Sequence, residues 1–137
     1  MLKLAISGAA GRMGARLIDL GSSSGQFQIV DAVDNASHPK LGVDAGVMSG
    51  IGEIGVPLAG SYGGEAEAVI DFSVPAGAAL AIKHCHETKT PLVMATTGLE
   101  EGTKAELEAA SKDIPIVFAP SMSLAVNLTM KMVELAG

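Results

Sequence analysis

The chain has 137 residues, of which 48% are hydrophobic, and it carries a formal net charge of −6 at neutral pH. A domain of this length can bury a core, the apolar content excludes a disordered chain, and the negative charge argues against a nucleic-acid-binding surface. The single cysteine, Cys85, excludes an intrachain disulfide, and no apolar run approaches the ~20 residues of a membrane span, so we expect a cytoplasmic protein with no nucleic-acid and no membrane partner.

Five short runs rich in Val, Ile and Ala predict β-strands. They are continuous rather than alternating, as in strands that are buried on both faces of a sheet. The runs cover residues 3–7, 28–33, 68–72, 92–95 and 114–119. The first run is too short for a signal peptide and meets glycines at once, so a buried strand is the better interpretation.

Helical patterns separate these runs, at residues 11–23, 76–87, 100–111 and 123–136. Apolar residues predict the inner faces of the first three, namely Met13, Leu17 and Leu20, then Ala79, Ile82 and Cys85, then Leu107 and Ala110. The last helix begins with Ser123 as its N-cap and carries Leu124, Leu128, Met132 and Leu135. The alternation of strand and helix predicts an α/β fold, a Rossmann-type doubly wound parallel sheet that forms one domain over residues 1–137.

Residues 35–60 interrupt this alternation. The segment is rich in glycine and small residues and has no clear hydrophobic period. A loop of this length inside a compact domain is usually functional or mobile.

The first strand leads directly into the turn Gly8-Ala9-Ala10-Gly11-Arg12-Met13-Gly14, and the first helix begins within it. Backbone N–H groups at a helix N-terminus attract an anion, and glycine lets a pyrophosphate approach them without meeting a Cβ. A further glycine lets helix and strand pack closely. The turn therefore predicts dinucleotide binding; a glycine-rich turn with a purely structural purpose is the alternative.

Asp34 ends the second strand, twenty residues after Gly14, which is the spacing of the acidic residue in the dinucleotide-binding fingerprint. Its carboxylate is predicted to accept hydrogen bonds from the hydroxyls of the adenosine ribose; a solvated strand end or an Asx turn is the alternative. Arg12 either braces the phosphates or lies solvated on the helix. A P-loop is excluded because no Gly-Lys-Ser/Thr closes the motif.

Further motifs follow in order along the chain: Leu-Gly-Val-Asp-Ala-Gly at 41–46, Val-Ile-Asp-Phe-Ser-Val-Pro at 69–75, Ala-Thr-Thr-Gly-Leu at 95–99, Val-Phe-Ala-Pro-Ser-Met-Ser at 117–123 and Val-Asn-Leu at 126–128. Together with the glycine turn, they closely resemble the N-terminal domain of the 4-hydroxy-tetrahydrodipicolinate reductase family of lysine (diaminopimelate) biosynthesis. The resemblance covers essentially the whole chain.

The resemblance implies a role for each matching segment. Gly8, Ala9, Ala10, Gly11, Arg12 and Met13 would hold the cofactor pyrophosphate, and Asp34 the adenosine ribose. Ala95, Thr96 and Thr97 would line the nicotinamide end, where Thr97 would also bind a substrate carboxylate. Ala119, Pro120, Ser121 and Met122 would close over the nicotinamide ring. These positions follow successive strands, where an open α/β sheet binds its ligands.

The reaction implied by the resemblance is hydride transfer from NADH or NADPH to a small cyclic imine or enamine that bears two carboxylates. Family members also have a histidine-rich motif with a lysine that supplies the proton, and a second domain through which they assemble as homotetramers. No segment of this sequence matches either, so we predict no catalytic residue in it. We expect a truncated chain or an isolated domain that binds nucleotide better than it catalyses; a nucleotide-binding module without catalysis is the alternative.

The resemblance also bears on the preferred cofactor. Family members often place a basic residue just after the ribose-binding acid and another in the Asp-Phe-Ser-x-Pro loop, but Asn35 and Val74 occupy those positions here. A 2′-phosphate would meet the Asp34 carboxylate with no arginine to offset the repulsion, so we expect NADH to be preferred to NADPH. His38 and Lys40 could instead reach the phosphate.

Three other candidate sites are disfavoured. The run His84-Cys85-His86 does not predict a metal site, because adjacent residues on a helix point ~100° apart. Cys85 is interpreted as a small buried hydrophobe, and Asp71 as a residue that caps a turn rather than a catalytic group. A sugar-nucleotide epimerase or reductase would need a Tyr-x-x-x-Lys pair, and no such lysine follows Tyr62.

Overall fold

The computed structural model describes residues 1–119 and 121–137. Six strands form a single sheet: β1 Leu2–Ser7, β2 Phe27–Val33, β3 Leu58–Ala59, β4 Ala68–Asp71, β5 Leu92–Met94 and β6 Ile116–Phe118. Their spatial order is β3-β2-β1-β4-β5-β6, and every neighbouring pair is parallel. This is the strand order of a doubly wound dinucleotide-binding sheet, so the predicted Rossmann-type α/β fold is confirmed.

Within the described residues, the first four helices cover both faces of the sheet, whereas the last one buries no residue. The helices are α1 Arg12–Ser23, α2 Ala45–Met48, α3 Pro75–Thr88, α4 Glu101–Ser111 and α5 Leu124–Ala136. Leu4 and Ile6 of β1 belong to the core under α1 and α2, whereas Ala5 between them belongs to the core under α3 and α4. Because successive strand residues point to opposite faces, one short strand contributes to both cores.

The strand order reverses between β1 and β4. The chain runs from β1 outward to β2 and β3, and then returns to place β4 on the other side of β1. At such a switch point, the loops that leave the carboxyl ends of the two strands diverge and open a crevice between them. The glycine turn leaves β1 at this point, and the Asp-Phe-Ser loop leaves β4 beside it.

The predicted inner face of α1 is wrong for two of its three residues. Met13 and Leu20 are 49% and 48% exposed, and only Leu17 packs against the core. The buried face consists of Gly14, Ile18 and Gly21. The hydrophobic pattern of the sequence did not predict this buried face, because glycines form the closest contacts of the helix with the sheet. In contrast, Leu107 and Ala110 are buried in α4 as predicted.

The segment 35–60 is more ordered than its sequence predicts, since it contains α2 and β3. Asp44 organises it as the N-cap of α2. Its Oδ1 accepts the N–H groups of Gly46, Val47 and Ile54 at 2.8, 3.2 and 3.1 Å, and its Oδ2 accepts those of Gly55 and Val56 at 2.8 and 3.0 Å. Hydrogen bonds to one carboxylate, together with the burial of Ala45 and Leu58 in the core, therefore hold this segment, and neither produces a periodic apolar pattern in the sequence.

The last helix begins as predicted, because the Ser123 side chain accepts the Val126 N–H at 3.3 Å. Its apolar residues are nevertheless exposed, with Leu124 at 85% and Leu135 at 77%. Among the described residues, none of the helices combines the length and the hydropathy that crossing a membrane requires.

Candidate functional site

A cleft of about 710 Å³ opens at the carboxyl edge of the sheet, over the switch point. It is lined by residues 7, 8, 10 and 11 at the end of β1, by 33–36 and 38 after β2, by 60–62 after β3, and by 72–74, 76, 77, 80, 83, 84 and 87 after β4 and along α3. Four segments that are distant in sequence thus meet at one site.

The glycines of the first turn serve different purposes. Gly8 has a φ of +76°, and a Cβ there would lie 2.2 Å from the Phe72 carbonyl oxygen. A Cβ at Gly14 would lie 2.2 Å from the Gly8 carbonyl oxygen. At Gly11 a Cβ would meet only the Gly8 oxygen, at 3.2 Å. Packing therefore explains Gly8 and Gly14, whereas Gly11 leaves room above the turn that a side chain would fill.

The N-terminus of α1 offers unpaired backbone donors. Gly11 is the N-cap and provides no side-chain hydrogen bond, in contrast to Ser123 at α5. The N–H groups of Arg12, Met13 and Gly14 have no acceptor among the described residues. Such donors, together with the positive end of the helix dipole, bind an anion.

Asp34 connects the end of β2 to the glycine turn. Its Oδ2 accepts the Ala10 N–H at 2.9 Å, and its Oδ1 accepts the Asn35 N–H at 2.8 Å. Each carboxylate oxygen has a further lone pair, so the group can still accept hydroxyl donors from the cleft. Neither contact is the bond to the N–H two residues on that defines an Asx turn, and together the two contacts hold the carboxylate in place without using all of its acceptors.

Two residues of the turn offer the cleft no free backbone donor, in contrast to what the resemblance implied. Ala9 is 1% exposed, and its N–H donates to the Val33 carbonyl at 3.1 Å. The N–H of Ala10 is engaged by Asp34. The free donors of the turn are therefore those of α1, beyond Gly11.

A buried carboxylate joins the loops that follow β4 and β5. Asp71 is 0% exposed; the Ser73 hydroxyl donates to its Oδ1 at 2.6 Å, and the Thr96 hydroxyl donates to its Oδ2. The Ser73 N–H donates in turn to Thr96 Oγ1 at 3.0 Å. We call Asp71, Ser73 and Thr96 the loop clamp. It supports the interpretation of Asp71 as a residue that organises a turn.

The loop clamp separates the roles of two neighbouring threonines. Thr96 is 5% exposed and its hydroxyl is bonded to Asp71, so its side chain points into the protein. Thr97 is exposed and free to contact a ligand. Of the three residues predicted to line the nicotinamide end, Thr97 is the one whose side chain offers a polar group to solvent.

The last predicted segment lies partly outside the described residues, because Pro120 is not among them. The Ala119 N–H donates to the Met94 carbonyl at 3.4 Å, which places it beside β5. Ser121 accepts the Ser123 N–H at 3.2 Å through its hydroxyl, and Met122 is 40% exposed. Residues 119, 121 and 122 and residues 95–97 do not line the cleft, whereas Gly8, Ala10, Gly11 and Asp34 do.

Sequence reasoning missed the far wall of the cleft. Tyr62 and His84 form a stacked pair, with ring centroids 4.3 Å apart and planes inclined by 12°. Lys83 and Glu87 lie beside them on α3. The spacing of residues 76, 80, 83, 84 and 87 places them on a second face of α3, beside the apolar face that enters the core.

Burial affects the chemistry of this wall and of the cysteine behind it. Desolvation lowers the pKa of His84 below its ordinary value, which favours the neutral imidazole. Desolvation also raises the pKa of Tyr62 above its ordinary value, and it raises that of the Cys85 thiol to about 12. Cys85 therefore stays protonated and packs as a small apolar residue. His86 lies apart from His84 and contacts Asp113.

A model of the family described as "Dihydrodipicolinate reductase, N-terminus" matches residues 2–122. The chain belongs to the dihydrodipicolinate reductase family. The resemblance inferred from the sequence motifs is thereby confirmed.

Curated relatives agree over nearly the whole chain. It is 43% identical to the 4-hydroxy-tetrahydrodipicolinate reductase of Rhodopirellula baltica, over 97% of this chain and 49% of the relative. It is 42% identical to that of Alkalilimnicola ehrlichii, over 98% of this chain and 52% of the relative. The chain thus spans about half the length of the curated relatives it matches.

Solved structures share the fold. The dipicolinate-bound dihydrodipicolinate reductase of Paenisporosarcina sp. TG-14 superposes with a TM-score of 0.76 at 18% identity, over 99% of this chain and 53% of that one. An oxidoreductase from Agrobacterium radiobacter in complex with NAD+, L-tartaric acid and magnesium gives a TM-score of 0.59 at 16% identity, over 84% of this chain and 34% of that one.

Proposed function

We propose that this chain is the nucleotide-binding part of a 4-hydroxy-tetrahydrodipicolinate reductase of lysine biosynthesis, and that it binds NADH or NADPH in the cleft. The observation that carries the proposal is the uncapped N-terminus of α1, which faces the open space above Gly11. A pyrophosphate fits this cradle because it needs backbone donors and the absence of a Cβ. The bound dinucleotide would supply a hydride for reduction of a cyclic dicarboxylate.

The residues of the chain would bind and orient that cofactor. The N–H groups of Arg12 and Met13 would hold the pyrophosphate, with the Arg12 guanidinium beside it. Asp34 would accept the hydroxyls of the adenosine ribose. Thr97 would reach the substrate carboxylate. Ala95, Ala119, Pro120, Ser121 and Met122 would surround the nicotinamide.

NADH is the cofactor we expect to be preferred. A 2′-phosphate would lie against the Asp34 carboxylate, with Asn35 and Val74 uncharged beside it. Two such charges ~4–6 Å apart repel by a few kcal/mol before salt screening, which suffices for tenfold discrimination. The Nδ1 of His38 accepts the Lys40 N–H, at 3.1 Å. Lys83 is the cation of the cleft lining that could oppose this preference.

Reduction itself requires more than nucleotide binding. The histidine-rich segment with a lysine has no match in this sequence, and we expect the 137-residue chain alone to show little turnover. The test is a titration with NADH beside a turnover assay on the same chain. Saturable NADH binding without turnover supports the proposal. Robust turnover would refute the expectation that the chain alone is inactive. Absence of NADH binding would refute the proposed nucleotide-binding function. A cytoplasmic location, and a homotetramer for a full-length enzyme, belong to the same proposal.

A further inference from the structure

The cleft extends past the glycine turn and Asp34 to the wall formed by Tyr62 and His84. We propose that this stacked pair is the platform on which the adenine ring of the dinucleotide lies. The inference rests on the proposed function and assigns two residues that the sequence motifs leave without a role. Both contribute aromatic ring surface, and a purine binds such surfaces by stacking.

The geometry of the pair suits a flat ligand. The two rings are nearly parallel, so His84 is held in one orientation by the ring beneath it. Tyr62 in turn packs against the core cluster that contains Cys85, which fixes the base of the stack. A ring that is already oriented loses little side-chain freedom when a base covers it.

The Tyr62–His84 pair lies in the part of the cleft where the base of a nucleotide held at Asp34 would be. Asp34 lies in the same cleft and would hold the ribose, so the base attached to that ribose must leave from this end of the site. Val74 and Leu80 provide apolar surface along the way from the turn to His84. Because Lys83 and Glu87 carry opposite charges, the wall as a whole favours a neutral ring rather than a phosphate.

The ring, and not the tyrosine hydroxyl, is the part that the platform uses. Tyr62 Oη is buried near the Ser7 side chain, but the two do not meet with the geometry of a hydrogen bond, and no other partner lies within the described residues. The hydroxyl therefore contributes little to holding the ring in place. Tyr62→Phe should keep the stack and bind adenine nucleotides as the wild type does.

Tyr62 also provides a local signal. It is the only tyrosine of a chain without tryptophan, so intrinsic fluorescence reports on this site alone. AMP should change the emission of the wild-type chain with a saturating dependence, whereas nicotinamide mononucleotide, which lacks adenine, should not. An emission that stays constant while calorimetry shows AMP binding would overturn the proposal.

Variants complete the test by calorimetric titration with AMP. His84→Ala should weaken AMP binding about tenfold or more, as expected for loss of one base–aromatic stack, and His84→Phe should restore it. His86→Ala is the matched control, because His86 is on the same helix and outside the cleft. Equal binding by wild type and His84→Ala, or no rescue by His84→Phe in a folded chain, would overturn the platform while NADH binding stands. If the wild type binds neither AMP nor NADH, the proposed function fails as well.

Discussion

The loop clamp makes a quantitative prediction at Thr96. Valine has nearly the shape of threonine but lacks the hydroxyl, so Thr96→Val removes one of the two side-chain donors to Asp71. It also removes the acceptor of the Ser73 N–H. Asp71 is fully buried, and no cationic side chain pairs with it among the described residues. Water cannot replace the lost donor without opening the loops.

The expected loss of stability follows from these contacts. A hydrogen bond to a charged group contributes roughly 1.5–3 kcal/mol, and an N–H left without an acceptor adds roughly a further 1 kcal/mol because Ser73 is only partly buried. The free energy of unfolding should therefore fall by about 2.5–4 kcal/mol. An unfolding entropy of about 2.1 cal/mol/K per residue converts this loss, over 137 residues, to a decrease in Tm of roughly 9–14 °C.

Thermal unfolding followed by circular dichroism measures this decrease. Thr97→Val is the matched control, because Thr97 is the adjacent residue, is exposed, and makes no side-chain hydrogen bond within the described part of the chain. The control should melt within about 2 °C of the wild type. If Thr96→Val melts at the same temperature as Thr97→Val, Asp71 does not depend on the Thr96 hydroxyl and the loop clamp is refuted.

Two further predictions concern carboxylates. Asp34→Asn removes the charge that would repel a 2′-phosphate, so the ratio of the NADPH Kd to the NADH Kd should fall about tenfold relative to the wild type; an unchanged ratio in parallel titrations would show that Asp34 does not set the preference. At Asp44, burial raises the pKa, but the backbone hydrogen bonds from Ile54 and its neighbours outweigh it and hold the pKa below 3.8. Since a depressed folded-state pKa stabilises the fold above the unfolded-state value, this contribution is present above about pH 4 and is lost as the pH falls through the folded-state pKa. Urea unfolding across this range should therefore show a steeper acid loss for the wild type than for Asp44→Asn, and parallel curves would contradict the assignment.

The parts of the fold that follow from local pattern were predictable. Buried strands read as continuous apolar runs, and their alternation with helices determines a parallel sheet. The inner face of α1 was not predictable in this way, because Gly14 and Gly21 carry no hydrophobic signal. Their burial comes from how closely the helix approaches the sheet, which is a property of the packed structure.

The residues of the site likewise fall into those that spacing along the chain predicts and those that only the folded structure brings together. Gly11 and Asp34 were found because the fingerprint relates them by spacing along the chain. Tyr62 and His84 are 22 residues apart and meet only after β3 returns across the sheet to β4. The direction of the Thr96 side chain depends likewise on Asp71, a residue of a neighbouring strand, so a motif alone could not distinguish Thr96 from Thr97.

The central claim, that the open cradle at Gly11 binds a dinucleotide, is tested most directly by calorimetric titration of the chain with NADH. Gly11→Ala adds a Cβ that meets only one backbone oxygen, at 3.2 Å, and Gly102→Ala adds one that meets nothing within 4 Å, on α4. We expect saturable binding by the wild type and Gly102→Ala. A folded Gly11→Ala should bind at least about tenfold more weakly, a difference of about 1.4 kcal/mol. No saturation of the wild type at millimolar NADH, or equal binding by Gly11→Ala, would contradict dinucleotide binding at Gly11.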